Sequence, residues 1–130
     1  MDNFSKTMSA AAQGMRAQNV RVRIAAENMA NAKTPGYQRK QIEFREIVDN
    51  QSGVTGVRVS RISRDLSEPV KLYEPSHPLA DEKGYVTYSN VSMLVELGDA
   101  REAQRSYEAN LNLFNQSRRM YGRVLDLLRR

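Results

Sequence analysis

Apolar residues in the last third of the chain recur at alternating steps of four and three residues. The repeat runs from Met93 to Leu128, and no proline interrupts it. This heptad spacing predicts one long helix with an apolar seam along one face. The seam positions are Met93, Leu97, Ala100, Gln104, Tyr107, Leu111, Phe114, Arg118, Tyr121, Leu125 and Leu128. A helix of this length must bury its seam against another element.

A matching repeat lies near the amino terminus. Its positions are Phe4, Met8, Ala11, Met15, Gln18, Val22, Ala25 and Met29. Two such seams predict a coiled coil between the terminal helices, with simple core packing as the plainer alternative for either stripe. Because the intervening segment returns the chain to its origin, we expect the helices to be antiparallel. The expected register places Met8 near Leu125 and Val22 near Leu111, and the two polar seam residues Gln18 and Gln104 are candidates for fixing it.

A second apolar stripe appears in the later helix beyond Leu111. Its members are Leu113, Met120, Val124 and Leu127. With this stripe the last turns are apolar around more than half of their circumference, so the helix needs neighbours on several sides. One copy of the chain does not provide them.

The middle of the chain has a different pattern. The first helix is expected to end at about Asn31, and Pro35-Gly36 predicts a type II turn that requires a positive φ at Gly36. Short alternating segments predict the strands of one small antiparallel sheet, with a turn marked by residues 50–53 and Gly56. The candidate strands contain Ile42 and Phe44, Val57 and Val59, residues 70–73, and residues 85–88.

These patterns define a mainly α fold with a small β region. We expect an amino-terminal helix of the coiled-coil rod domain over residues 1–33. A linker and small β-rich region are expected over residues 34–92, and the carboxy-terminal helix of the same rod domain over residues 93–130.

Charge is distributed unevenly along the chain. The net charge is +5, and residues 1–64 and 103–130 are basic while residues 65–102 are acidic. This polarity suits head-to-tail association between copies or with a related subunit, although a solvated basic face explains it as well. Direct nucleic-acid binding is less favoured, because the basic residues do not cluster on one face with aromatic residues between them. The sequence shows neither a membrane span nor a cleaved signal peptide.

Candidate chemistry is scarce. The chain has no cysteine and one histidine, His77, in a loop between Pro75 and Pro78. A zinc site would need further sulfur or imidazole ligands. No phosphate-binding glycine loop and no nucleophile motif occur. We therefore expect no catalytic residue, no metal, no cofactor and no small-molecule substrate, and the chain is interpreted as a protein other than an enzyme.

Two terminal segments carry a family resemblance. Residues 27–37, with Asn28, Asn31, Pro35-Gly36 and Tyr37, resemble the amino-terminal signature of bacterial flagellar rod, hook and hook-associated proteins. Residues 101–110 resemble the carboxy-terminal signature of the same axial family. Residues 75–86 with Asn90 and Val91 resemble the proximal-rod members in particular.

The resemblance implies a structural subunit of the proximal rod of the flagellar basal body. Such a subunit assembles into a helical tube that crosses the periplasm and transmits torque. It is exported by the flagellar type III apparatus, without a cleaved signal peptide, and its partners are that apparatus and other rod subunits. Phe44 and Val48 match the family's short export signal, and ordinary strand residues are an equal alternative. A needle or other export-filament subunit, or a basic helical nucleic-acid binder, remains open at this point.

Overall fold

Two long helices and four strands make up the fold. The computed structural model describes residues 2–129. In chain order the elements are α1 (Asp2–Ala30), β1 (Lys40–Val48), β2 (Thr55–Arg64), β3 (Lys71–Tyr73), β4 (Tyr85–Thr87) and α2 (Met93–Leu128). The predicted mainly α fold with a small β region is confirmed.

The helices are antiparallel, as expected. The Phe4 and Tyr121 rings meet edge to face with centroids 6.2 Å apart, and Arg21 donates to Glu102 at 3.1 Å near the other end of the pair. The expected register was wrong by about two turns, because these contacts place Met8 well short of Leu125 and Val22 well short of Leu111. A heptad pattern identifies a face of a helix, but it repeats every seven residues and does not fix the axial position of the partner.

Small side chains fill the space between the helices. Ala11 and Ala25 of α1 and Ala100 and Ala103 of α2 are buried. The side chain of Asn110 crosses so close to Gly14 that a Cβ at Gly14 would lie 2.7 Å from its Nδ2 atom. Small side chains permit this close approach, and long ones would prevent it.

The inward face of α2 follows only half of the seam read from the sequence. Ala100, Tyr107, Phe114 and Tyr121 are buried or half-buried. So are several residues outside the seam, among them Glu96, Ala103, Asn110, Ser117 and Val124. The alternate seam positions Leu97, Gln104, Leu111 and Arg118 are exposed. An exposed Gln104 does not fix the register against α1, and the Oε1 atom of Gln18 is buried without a partner among the described residues.

The strands form two separate two-stranded sheets, so the expectation of a single sheet was wrong. In the first, which we call the hairpin (residues 40–64), β1 pairs antiparallel with β2 from Lys40 opposite Arg64 to Val48 opposite Thr55. In the second, β3 pairs antiparallel with β4. We call residues 67–91, which contain this sheet, the lobe. The hairpin lies along α1, whereas the lobe adjoins its end, so their edges do not meet.

Gly56 belongs to β2 and not to the turn before it. The turn at residues 50–53 is present, with a φ of 68° at Gly53. Gly56 is buried against α1, where a Cβ would lie 1.6 Å from the Oε1 atom of Gln13. Its lack of a side chain allows the hairpin to lie close to α1.

Candidate assembly junction

The end of α1 is joined to the start of the hairpin through one buried amide. Asn28 is 1% exposed. Its side chain donates to the carbonyl of Lys40 at 3.0 Å and accepts from the amide of Lys40 at 2.9 Å. The hydroxyl of Tyr37 donates to the same Asn28 oxygen at 2.8 Å. Both hydrogen-bonding groups of the Asn28 amide are therefore satisfied, which a buried polar group requires.

Burial gives Tyr37 a phenol that resists ionisation. Desolvation raises the pKa of Tyr37, and the nearby charge of Glu27 raises it further, while Lys40 lowers it. Lys40 in turn forms an ion pair with Glu27. The Tyr37 hydroxyl therefore stays protonated and keeps its role as a donor to Asn28.

The turn after α1 has the geometry that its sequence predicts. The amide of Tyr37 donates to the carbonyl of Thr34 at 3.2 Å, and Gly36 has a φ of 79°. Together with Pro35 these features describe a type II turn. The amide of Gly36 also donates to the carbonyl of Thr87 at 3.3 Å, so the turn is attached to the lobe.

Asn31 closes the last turn of α1. Its side-chain amide donates to the carbonyl of Glu27 at 2.9 Å, and its oxygen accepts from the hydroxyl of Thr34 at 3.1 Å. Free carbonyls at a helix end need such partners. The structure therefore gives each of the five signature residues (Asn28, Asn31, Pro35, Gly36 and Tyr37) a place in the exit from α1.

Arg39 ties the start of the hairpin to the start of α2. Its guanidinium pairs with Glu96, which is 1% exposed, and also with Asp99 at 3.2 Å and Asp65 at 3.6 Å. Burial alone would lower the pKa of Arg39, but the hydrogen bond and charge of Glu96, with the charges of Asp99 and Asp65, raise it above its usual value. Arg39 therefore stays charged, and it compensates the buried carboxylate.

Two polar residues between β4 and α2 complete the connection. Asn90 accepts from the backbone amide of Arg39 at 2.6 Å and donates to the carbonyl of Asp65 at 2.9 Å. Ser89 is 1% exposed, and its hydroxyl donates to the carbonyl of Ala32. We call this polar network, formed by residues 28–40, 65 and 87–99, the junction. It joins both helices, the hairpin and the lobe.

The remaining residues singled out from the sequence take no part in the hydrogen bonds and ion pairs of the junction described above. In α1 the seam residues Met8, Met15, Val22 and Met29 are half-buried. In α2 the seam residues Tyr107, Phe114 and Leu125 are half-buried, while Leu97 and Leu111 are exposed. The candidate export residues Phe44 and Val48 lie on β1, where they are 40% and 56% exposed.

The described residues show neither a cluster of metal-binding side chains nor a membrane-spanning helix. Over residues 2–129, no three or more acidic or histidine side chains are grouped as they would be to bind a metal ion. Neither described helix is long and apolar enough to cross a membrane. His77 accepts from the amide of Leu79 at 3.0 Å and lies edge to face with Tyr88, so it has a structural role in the lobe.

Two family models of flagellar basal-body rod proteins match segments that contain most of both helices. Residues 8–38 match the family described as "Flagella basal body rod protein". Residues 82–127 match the family described as "Flagellar basal body rod FlgEFG protein C-terminal". The flagellar basal-body rod protein FlgC of Agrobacterium fabrum is 40% identical, covering 99% of this chain and 98% of its own length.

The chain belongs to the FlgC family of flagellar basal-body rod proteins. FlgC of Borreliella burgdorferi is 35% identical over 94% of this chain and 95% of its own length. FlgC of Escherichia coli O6:H1 is 33% identical over 90% of this chain and 92% of its own length. The chain is thus a structural subunit of the proximal rod, and the family membership favours this interpretation over a needle subunit or a nucleic-acid binder.

Proposed function

We propose that this rod subunit assembles by burying the outward faces of α2 against the helices of neighbouring subunits. In this way it builds a helical tube that crosses the periplasm. The neighbours are further copies and other rod proteins. A tube of closely packed helices is stiff, and stiffness is what the transmission of torque requires. The function includes no catalytic step, in keeping with the structural role of the relatives.

The proposal rests on the apolar side chains of α2 that are exposed to solvent in the single subunit. Nine large hydrophobic side chains of this helix are exposed by 38% or more, namely Met93, Leu94, Val95, Leu97, Leu111, Leu113, Met120, Leu127 and Leu128. Among the described residues of α1, no large hydrophobic side chain is exposed to this extent. These side chains fall in two groups, at residues 93–97 and 111–128, and exposed apolar area of this extent marks an interaction surface.

Charge introduced on this surface tests the proposal. Leu113 is 45% exposed, so Leu113→Glu should change the stability of the free subunit by less than about 0.5 kcal/mol. In the rod, however, it would bury an unpaired carboxylate, which is strongly unfavourable. We expect cells carrying Leu113→Glu to export the subunit, fail to complete rods and lose motility.

Ile62→Glu is the matched control, because Ile62 is 46% exposed but lies on the hairpin. Motility and the amount of subunit in isolated basal bodies are the measurements. Normal basal bodies with Leu113→Glu would contradict the proposal. An equal loss of motility and of assembled subunit with both variants would show that any added charge is harmful. That result would also contradict the proposal.

We further propose that Phe44 and Val48 form the export signal recognised by the type III apparatus. Both side chains stand on the same face of β1 and are substantially exposed. The test is secretion of Phe44→Ser and Val48→Ser, compared with Val57→Ser. Val57 is 42% exposed on the adjacent strand. Secretion should fall for the first two variants only, and an equal fall for all three would refute the signal.

A further inference from the structure

Opposite ends of the molecule carry opposite charge. The last turns of α2 and the residue that caps it hold Arg118, Arg119, Arg123 and Arg129 against a single acid, Asp126. The lobe holds Glu68, Glu74, Asp81 and Glu82 against two lysines, Lys71 and Lys83. Because the lobe adjoins the start of α2, and α2 has 36 residues, these regions lie about 50 Å apart. They do not neutralise each other within one subunit.

The arginines near the end of α2 form no ion pair with the other described residues of the subunit. Arg118, Arg119 and Arg123 are exposed, and no ion pair joins them to another described residue. Basic residues stabilise a helix dipole chiefly from its last turn, and the last turn of α2 contains none. Their charge therefore faces outward, beside the exposed side chains of Met120, Leu127 and Leu128.

The lobe presents a matching combination of charge and apolar area. Tyr73, Leu79 and Tyr85 are 64%, 63% and 42% exposed, and Glu68 and Glu82 are exposed near them in the chain. The tyrosine rings stack edge to face with centroids 5.3 Å apart. Lys71 and Lys83 share a hollow with Asp81, Glu82 and Tyr85, but acidic residues outnumber basic ones in the lobe as a whole. Aromatic side chains on a surface of net negative charge suit a basic partner.

From these two surfaces we propose that the last turns of α2 in one subunit dock on the lobe of a second copy of this chain. The partner is assigned to a second copy because both complementary surfaces belong to the same sequence. Contact between two different surfaces is heterologous, and repeated heterologous contacts produce rings or open helical assemblies. The inference rests on the proposed rod assembly, and it specifies one of the contacts within it.

Crosslinking in assembled basal bodies tests which chain covers the lobe. A photoreactive benzophenone side chain placed at Leu79 should give an adduct between two copies of this chain, mapped to residues 118–129. An adduct with another rod protein, or with a different part of this chain, would overturn the inference while leaving the rod function intact. Absence of the wild-type chain from basal bodies would instead overturn the rod function itself.

Charge exchange tests whether the contact is electrostatic. The variant with Arg118→Glu and Arg119→Glu should lower the adduct yield at least tenfold, as should the variant with Glu68→Arg and Glu82→Arg. Combining all four substitutions restores opposite charges and should return most of the yield. Arg105→Glu reverses one exposed charge in an earlier part of α2 and is the control for position. Failure of the combination to recover, or an equal loss with Arg105→Glu, would overturn the inference.

Discussion

The two helices have similar lengths and very different surroundings. α1 is covered by α2 on one side and by the hairpin on the other, where Ala17 and Ile24 line hollows that they share with hairpin residues. Among the described elements, α2 is covered by α1 alone, through one face whose most buried residues are Glu96, Ala100, Ala103 and Ser117. The difference shows that one terminal helix is largely covered within the subunit, whereas the other leaves apolar area exposed, which the proposed assembly would bury.

The largest loss of stability should follow from breaking the ion pair that holds the start of α2 to Arg39. Arg39→Met would leave the Glu96 carboxylate buried without its guanidinium, and breaking a buried pair in this way costs on the order of 3 kcal/mol. Thermal or denaturant unfolding of the purified subunit would measure the loss. Arg39→Lys keeps the charge but not the planar fork that reaches several carboxylates, so its loss should be smaller. Equal stability of Arg39→Met and the wild type would show that the pair is dispensable.

The next largest loss of stability should come from a bulky side chain introduced between the two helices. Gly14→Val should destabilise the subunit by about 1–3 kcal/mol, because a Cβ there already meets Asn110. Gly122→Ala provides the contrast on α2. A Cβ at Gly122 would meet no heavy atom within 4 Å, and replacing a helical glycine adds up to about 1 kcal/mol of stability. The unfolding midpoint should therefore fall for Gly14→Val and rise for Gly122→Ala. Shifts of the same sign would contradict the assigned contact between α1 and α2.

The turn at Gly36 controls the direction in which α1 leaves the junction. Gly36→Val places a branched residue at a positive φ and should cost on the order of 1–3 kcal/mol locally. No heavy atom lies within 4 Å of the added Cβ, so the cost comes from the backbone and not from a clash. We expect the variant to be exported but to leave rods incomplete, as measured by basal-body content and motility.

Gly36→Ala should be milder, and Gly36→Asn milder still, because asparagine tolerates the left-handed region best among residues with a side chain. Normal swimming with Gly36→Val would show that the angle set by this turn is unimportant. Severe defects with Gly36→Asn would indicate a role for this glycine other than its positive φ.

The smallest effect should be a difference in backbone opening between the helices of the free subunit. Helices held by packing on one side open more readily than those held on two. Amide hydrogen exchange at low concentration should therefore be faster in residues 111–128 of α2 than in residues 15–30 of α1. Limited proteolysis should trim the end of α2 first. Equal protection of both segments would contradict the proposed dependence of α2 on assembly.

Local signals in the sequence predicted the local structure. Periodicity located both helices, alternation located the strands, and Pro35-Gly36 gave the positive φ at Gly36. The face of α2 was harder to predict, because its leucines form the more obvious stripe and yet point outward. An apolar pattern shows that a residue will be buried, but it does not distinguish burial within one subunit from burial between subunits.

Only some of the junction residues could be identified from the sequence. Asn28, Asn31 and Tyr37 were noticed through their family signature, and the structure supplies the hydrogen bonds that explain them. Arg39 and Glu96 were missed. An acidic residue in the first turn of a helix ordinarily favours the helix dipole from an exposed position, so nothing local indicated that Glu96 is buried. Its partner lies 57 residues away in the chain.

The antiparallel helix pair places the beginning of α1 and the end of α2 side by side, as the Phe4 and Tyr121 contact shows. The loop between β3 and β4 therefore lies at the far end of the molecule. Exposed loops of this kind accept insertions readily. A longer segment between Pro75 and Lys83 would change the surface of the lobe without displacing either helix of the same subunit. Evolution can thus change the contacts that the lobe makes while the pairing of α1 with α2 stays unchanged.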